Sequence, residues 1–462
     1  MSLVVVRAVA SYEDREAIRL FVRQALALDP AIETLLRSGD PSRLIVVKPN
    51  WVQEAHQHKP DVWEPMITHP SVLLILVEEL AEMMQRGTIS ICDAPHGYAL
   101  FDAIVRRGGF RERLKEIADR WPTLKIELLD LRRQVYVCKE DVIVARVENP
   151  PDPRGYVGVN LGKESLLCGF RGEGRFYGAD YDTEIVNSHH HGETQEYLLA
   201  GTAMKCDLFI NVPKMKTHKK TGITCCLKNL VGINGDKNWL PHHTEGTPES
   251  GGDEFPGESF PHLVERILKR LGRNMALKLP GAGSWLFRKV RNAGKTVLGD
   301  SESVVRNGNW EGNDTCWRMA LDLNRALLYG NADGSWRGAG ERKPYLAIVD
   351  GIIGGEGNGP LCPDPAASGA LVCGTNPAAV DAVVAALMGF DIARIPLVQN
   401  AFSPHPHPIH DCGAWDITVE DSRLGGTTGL AGVRPAVENG FKPHFGWQGL
   451  RSADSGKARG VC

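Results

Sequence analysis

The sequence predicts an α/β fold: a mostly parallel twisted sheet flanked by helices, with an antiparallel extension and a basic helical insertion. Three observations predict it. Short β-branched runs alternate with segments of helical periodicity, the pattern of β-α-β units. Each run empties into a polar, Gly-rich connection. One stretch, residues 241–312, departs from the rest in charge and in Gly and Pro content.

Arg43-Leu-Ile-Val-Val-Lys48 is the first clear strand, closed by Pro49-Asn50. Pro70 opens a helix to Arg86; Thr68 and His69 precede it, and Gly87 stands just past its end. Thr88-Ile-Ser-Ile-Cys-Asp93 is the next strand, completing a unit whose natural product is a parallel sheet. Residues 124–161 are richer in strand, with alternation at Gln134–Cys138 and Val142–Arg146, and supply the antiparallel extension. Ala200–Met204 ends a helix that leads into the strand Cys206–Val212. Tyr345–Asp350 and Ala370–Cys373 are further strands, the last feeding a helix from Ala378 to Met388.

We read one discontinuous core domain over 1–240 and 313–440, an interruption at 241–312, and a tail at 441–462. The interruption begins as a surface loop with five carboxylates and no Lys or Arg up to Pro261. It continues as a basic amphipathic segment, Leu263–Thr296, with nine Lys or Arg against Glu265 alone. Trp285-Leu-Phe287 beside Arg288, Lys289 and Arg291 is the composition of a helix lying on an anionic membrane surface.

Composition excludes several classes. The 462 residues are 42% hydrophobic and 24% charged, unlike a disordered or fibrous chain. With 53 Lys and Arg against 56 Asp and Glu, no nucleic-acid partner is expected. No basic region leads an apolar run at the N-terminus, so no signal peptide is expected. Asp381 and Pro377 interrupt the most apolar window, so no spanning helix is expected either. The expected location is cytoplasmic, with peripheral contact to the inner membrane face through residues 263–299. Eleven scattered cysteines lack C-x-x-C spacing, which argues against a zinc ribbon or an iron–sulfur cluster. A redox reading would have to rest on Cys206, Cys225 and Cys226, and is the weakest. P-loop, H-E-x-x-H and G-x-S-x-G motifs are absent.

Function is expected where the strands end. In parallel α/β sheets, ligands bind outside the carboxyl ends of strands. Lys48-Pro-Asn50, Asp93, Lys214-Met-Lys216-Thr-His218 and Asp350 with Glu356 and Asn358 would meet there. Lys48, Lys214, Lys216, Lys228 and Lys237, with Asn50, Asn229 and Asn358, are the candidate binders of an anionic small molecule. Lysines aimed into one crevice repel one another unless something negative compensates. His218 is the acid/base candidate, since an imidazole titrates near neutrality. Asp350 and Glu356 would orient it or hold a divalent metal. If extended, His189 and His191 share a face and would complete that metal site. The sequence names no other cofactor and selects no oligomeric state.

These residues resemble a known family, the domain of unknown function 362 family. The resemblance rests on Val46-Val-Lys-Pro-Asn50, Thr68-His-Pro70, Ile91-Cys-Asp93 and Asn211-Val-Pro-Lys-Met-Lys-Thr-His218. It continues through Thr224, Leu227-Lys-Asn-Leu-Val-Gly232, Val349-Asp-Gly351, Glu356-Gly-Asn-Gly-Pro360 and Asn376-Pro-Ala-Ala-Val-Asp381. It implies a cytosolic α/β protein without an agreed general activity. The longer form, with Asp236–His243 and Gly251–Glu254, is similar to members found beside polysaccharide genes. Some members carry ferredoxin-type clusters, whose cysteine pattern this chain lacks. The sequence thus points to an enzyme of an anionic small molecule, phosphate- or carboxylate-bearing. The alternative is a non-catalytic peripheral-membrane assembly protein of a polysaccharide pathway.

Overall fold

The computed structural model describes residues 2–451 apart from 140–141, 180–181, 261, 268–303 and 339. Its central sheet has twelve strands, numbered here along the chain. They are β1 (Ser2–Ala8), β2 (Leu44–Pro49), β3 (Gly87–Asp93), β4 (Leu124–Asp130), β5 (Leu208–Val212) and β6 (Lys214–His218). The rest are β7 (Gly222–Thr224), β8 (Tyr345–Asn358), β9 (Cys362–Ala366), β10 (Ala370–Gly374), β11 (Ile417–Asp421) and β12 (Gly426–Gly429). The spatial order is β12-β11-β1-β10-β8-β5-β2-β3-β4.

Five neighbours, β8-β5-β2-β3-β4, run parallel. Beyond them β10 runs antiparallel to both β8 and β1, and β11 lies parallel to β1. The chain moves outward from β2 through β3 to β4, then returns to lay β5 on the other side of β2. The direction of winding therefore reverses between β2 and β5, and at such a switch point neighbouring connections leave opposite faces and open a crevice.

The strands alternate their side chains between two cores. Ile45 and Val47 enter one core with Phe21 and Leu76, beneath the helices Arg15–Leu26 and Pro70–Met84. Val46 enters the other with Leu323 and Val383, beneath the helices Cys316–Tyr329 and Pro377–Leu387. Helix Pro70–Met84 starts where the sequence places it, because proline fits its first turn and the His69 ring accepts the Ser71 N–H at 3.1 Å. It ends two residues before Arg86, with Gln85 in the left-handed region.

Four features differ from the sequence reading. Strand β8 does not stop at Asp350: it runs on to Asn358 through the Gly-rich segment, pairing first with β5 and then with β6 and β9. The strands Gln134–Lys139 and Val142–Glu148 form a ribbon of their own, and Tyr156–Asn160 joins Thr194–Ala200 in a separate small sheet. A strand thus stands before the short helix Gly201–Lys205. The acidic stretch is solvated only in part: Glu249 and Glu258 are exposed, but two of its carboxylates are not. Asp253 and Glu254 are buried, and Asp253 accepts hydrogen bonds from the backbone of Thr244, Asp314 and Thr315 and from the Thr315 hydroxyl.

Most of the basic segment expected at 263–296 falls in 268–303, outside the described residues. Of the tail, residues 441–451 are described: Phe441, Trp447 and Leu450 are buried, and the Trp447 indole donates to Lys219 O at 2.8 Å. Among the described residues no helix is long and apolar enough to cross a membrane.

Candidate functional site

The strand ends converge as expected. At the end of β2 the Lys48 ammonium is fully buried, 2.8 Å from Asp93 at the end of β3. It also donates to Pro49 O at 2.6 Å and to Asn229 Oδ1 at 3.3 Å. Asp93 accepts the Trp51 N–H as well, at 2.7 Å. Gly232 passes directly over this pair. A Cβ there would lie 2.1 Å from Asp93 Oδ1 and 2.5 Å from Lys48 Nζ, so only glycine fits.

Beside the pair runs a relay of amides. Asn50 donates to Asn229 Oδ1 at 2.8 Å, and Asn229 donates to Asn211 Oδ1 at 2.7 Å. Asn211 donates to Tyr345 Oη and to Cys226 O. The short helix Cys226–Asn229 is thereby tied to the ends of β2 and β5.

Lys214 and Lys216 lie on one face of β6, as alternate residues must, yet their surroundings differ. Lys214 Nζ is 2.8 Å from Asp350 Oδ2 and donates to the Tyr12 hydroxyl at 2.8 Å. Tyr12 in turn donates to Asp350 Oδ1 at 2.8 Å, and the His69 N–H donates to Oδ2 at 2.8 Å. Asp350 is therefore fully engaged. Lys216 is equally buried, but among the described residues its ammonium meets only Met66 O, at 2.5 Å. Burial and the nearby Lys214 push its pKa well below the ordinary lysine value. Gly355, its register partner on β8, leaves room for the lysine stem. Across β7 its partner is Thr224, whose buried hydroxyl has no hydrogen-bond partner among the described residues.

Lys228 is the most isolated cation of the group. It is buried, and among the described residues its ammonium has neither a hydrogen-bond partner nor a carboxylate. Desolvation lowers its pKa. Lys237 Nζ donates to Ala94 O at 2.8 Å and to Val231 O at 2.9 Å, and burial brings its pKa down to about 7. His218 accepts the Lys220 N–H at 3.1 Å through Nδ1, with the Thr221 hydroxyl also 3.0 Å from that atom. These bonds assign the neutral ring's proton to Nε2. Burial, then Lys228, Lys219 and Lys216, hold the ring well below the usual histidine range.

Not every expected residue joins the crevice. Glu356 is held by Lys442, through its backbone N–H at 2.9 Å and its ammonium at 3.1 Å. Asn358 sits opposite Cys362 in the β8–β9 hairpin. His189 and His191 do not share a face. The helix Thr183–His189, capped by Asp182, carries the chain through His189, and only His190–His191 are extended. His189 stacks on Trp239 at 3.4 Å and contacts Glu196 Oε2 at 2.9 Å, while His191 is exposed. The four expected metal ligands are therefore not brought together.

Among the described residues, two other donor sets lie within 4.8 Å: Glu164 with His405 and His407, and Cys225 with Cys226 and Asp381. In the first, His405 spends Nδ1 on the His407 N–H and Nε2 on Glu164 O. In the second, Asp381 accepts the Cys226 and Leu227 N–H groups, as an N-terminal cap does, and burial drives both thiols up.

Sequence reasoning missed Tyr12, Asn211, Thr224, Lys220 and His242 as members of this neighbourhood. The Lys219-Lys220 and His242-His243 doublets were the available signals for two of them. Tyr12 carries none.

Residues 160–386 match the family model described as "Domain of unknown function (DUF362)". The match includes Lys214, Lys216, Lys228, Lys237 and Asp350 and leaves Tyr12, Lys48, Asn50 and Asp93 outside. No curated protein matches the chain.

Proposed function

We propose that this chain, which belongs to the domain of unknown function 362 family, is an enzyme acting on a small molecule that carries phosphate or carboxylate groups. The observation that carries this reading is the contrast among its buried lysines. Lys48 and Lys214 each have a carboxylate at 2.8 Å; among the described residues Lys216, as fully enclosed, and Lys228, 7% exposed, have none. Burying an uncompensated ammonium costs several kcal/mol, and such a cost persists where a ligand offsets it.

In this reading Lys216 and Lys228 receive the anion, and Lys237 flanks them. The buried and unpartnered Asn50 Oδ1 and Thr224 Oγ1 meet the ligand's own polar groups. His218, kept neutral with its proton on Nε2, gives a hydrogen bond to a developing oxyanion and does not start as a base. Lys48, Asp93, Lys214, Asp350 and Tyr12 are positioning residues that fix the strand ends. Glu356 stays at the rim, and no metal enters the proposal.

The test is calorimetric titration of the full chain with inorganic phosphate and with citrate, together with the rise in melting temperature each produces. Lys228→Met should abolish both effects, while Lys115→Met, at an exposed lysine 74% accessible, should leave them intact. Absence of binding by either anion would overturn the reading.

A second reading rests on a separate observation. Phe260, Leu263 and Ile267 are 79%, 43% and 50% exposed at helical spacing, at the start of the basic segment. Apolar residues next to basic ones suit an anionic lipid surface, and with it a role beside a membrane-bound polysaccharide pathway. Flotation with vesicles containing phosphatidylserine, with and without residues 263–299, tests it. Equal recovery of both proteins would dispose of it.

A further inference from the structure

We infer that the connection between β2 and the helix Pro70–Met84 carries a lid, residues 56–65, which closes the anion site and lifts from it to admit the ligand. Its latch is on the β8–β9 hairpin. The inference goes beyond the anion-binding reading and rests on it.

The first support is enclosure. Lys216 and Thr224, partners across β6 and β7, are both buried, so an anion reaches Lys216 only if one wall moves. Strands β6 and β8 form one wall and are held by paired backbone. The other is the connection 50–69, far longer than the about 2–6 residues usual in such units. Its Met66 O accepts the Lys216 ammonium at 2.5 Å. Pro65, just before it, rests on Gly355: a Cβ there would lie 2.8 Å from Pro65 O and 2.9 Å from Lys216 Cβ. The connection thus lies on the strand beside Lys216 and takes the hydrogen bond that the anion would take.

The second support is how differently the stems and the tip of the connection are held. At the stems, Trp51 bridges Ile67, the Thr68 N–H donates to Asn50 O at 3.0 Å, and the His96 N–H donates to Val52 O at 2.9 Å. Trp51, Met66 and Ile67 are buried. The tip folds on itself. The His56 N–H donates to Val62 O and the Val62 N–H to Lys59 O, each at 2.8 Å, while the His56 ring accepts the His58 and Lys59 N–H groups. This knot meets the hairpin through exposed or long contacts. Lys59 lies 2.7 Å from Asp364 with both side chains more than half exposed, and the Gln57 N–H reaches Leu361 O at 3.3 Å. An exposed ion pair contributes little in water, so a segment latched this way opens at low cost. Lifting the tip draws Pro65 and Met66 away from Gly355 and Lys216. Closing it over a ligand excludes water and strengthens the hold of the lysines.

The test locks the latch. The Cys362 thiol lies 3.8 Å from Gln57 Oε1, so Gln57→Cys sets a second thiol beside it. Copper phenanthroline oxidises the pair to a disulfide, the two thiols giving up two protons and, to copper(II), two electrons. Dithiothreitol reverses the step, and peptide mass mapping verifies the bridge. Inorganic phosphate is then titrated by calorimetry into the full chain in each state. We expect the bridged protein to bind phosphate at least about tenfold more weakly than the unsubstituted chain, and the reduced protein to return to within about threefold of it. Equal binding by the bridged and reduced forms would overturn the lid and leave the anion reading standing. No phosphate binding by the unsubstituted chain would overturn both. Should the bridge not form, Asp364→Asn is read by hydrogen exchange. Loss of the latch should speed exchange of the amides in 56–65 by about two- to fivefold, and unchanged exchange would overturn the inference.

Discussion

Lys48 and Asp93 meet at 2.8 Å at the ends of two adjacent parallel strands, and the backbone of Gly232 closes over them. The pair is a structural floor. Gly232→Ala should be costly, since a methyl group there overlaps both partners; we expect a loss of about 2–3 kcal/mol or more in urea unfolding. Lys48→Met strands a buried carboxylate and should cost about 3–5 kcal/mol. Unchanged midpoints for both would contradict the described packing.

The opposite sign is expected at Lys228. With no partner to lose among the described residues, Lys228→Met replaces a buried charge by an apolar chain of similar length and should stabilise the fold by about 1 kcal/mol or more. Ligand binding should vanish in the same variant. A fall in melting temperature would mean that Lys228 supports the fold.

The depressed lysines give a pH dependence with a definite sign. Lys237 has a folded value of about 7 against about 10.4 in an unfolded chain. Between these values the unfolded state binds more protons, so stability rises as pH climbs through the window; below about 7 the penalty is fully present. The groups facing Lys237 are Asp93, Lys48, Arg132 and Lys228, with the carbonyls of Ala94 and Val231. Lys237→Met should flatten the slope of melting temperature against pH between about 7 and 10. An anion recharges these lysines, so binding should take up protons near neutrality and weaken as pH rises. Calorimetry in two buffers of different ionisation enthalpy reads this uptake; proton release would contradict it.

Asp350 gives the sharpest separation of positioning from catalysis. It accepts from Lys214, Tyr12 and the His69 backbone. Asp350→Asn should therefore leave Lys214 buried without its counter-charge and cost about 3 kcal/mol. Tyr12→Phe, which deletes one hydroxyl, should cost about 1–2 kcal/mol. A stable Asp350→Asn protein with its melting temperature unchanged would restore Asp350 as a free acid/base group.

Much of this arrangement was legible in the sequence because strand-end clusters are local patterns. Lys48-Pro-Asn50, Asp93 and Lys214-x-Lys216 announce themselves, and parallel topology gathers them. The pairing of charges was not legible. Lys214 and Asp350 stand 136 positions apart, and Tyr12 reaches Asp350 from 338 positions away through a turn with no motif. Nothing local distinguishes the satisfied Lys214 from the unsatisfied Lys216. The histidine run misled for a local reason: the helix capped by Asp182 runs through His189, so the extended geometry needed for a shared face never forms. The Gly-rich segment 354–359 is strand and hairpin, and not a connection, because β6 and β9 pair with it on either side.

The most direct measurement is a crystal of the full chain soaked in tungstate, with anomalous differences collected at the tungsten edge. The central claim, an anion held between Lys216 and Lys228, predicts a tungsten peak with its oxygens about 3 Å from Lys228 Nζ, and loss of that peak in Lys228→Met. Tungsten found only on exposed lysines such as Lys115 and Lys163, with none in the crevice, would contradict it.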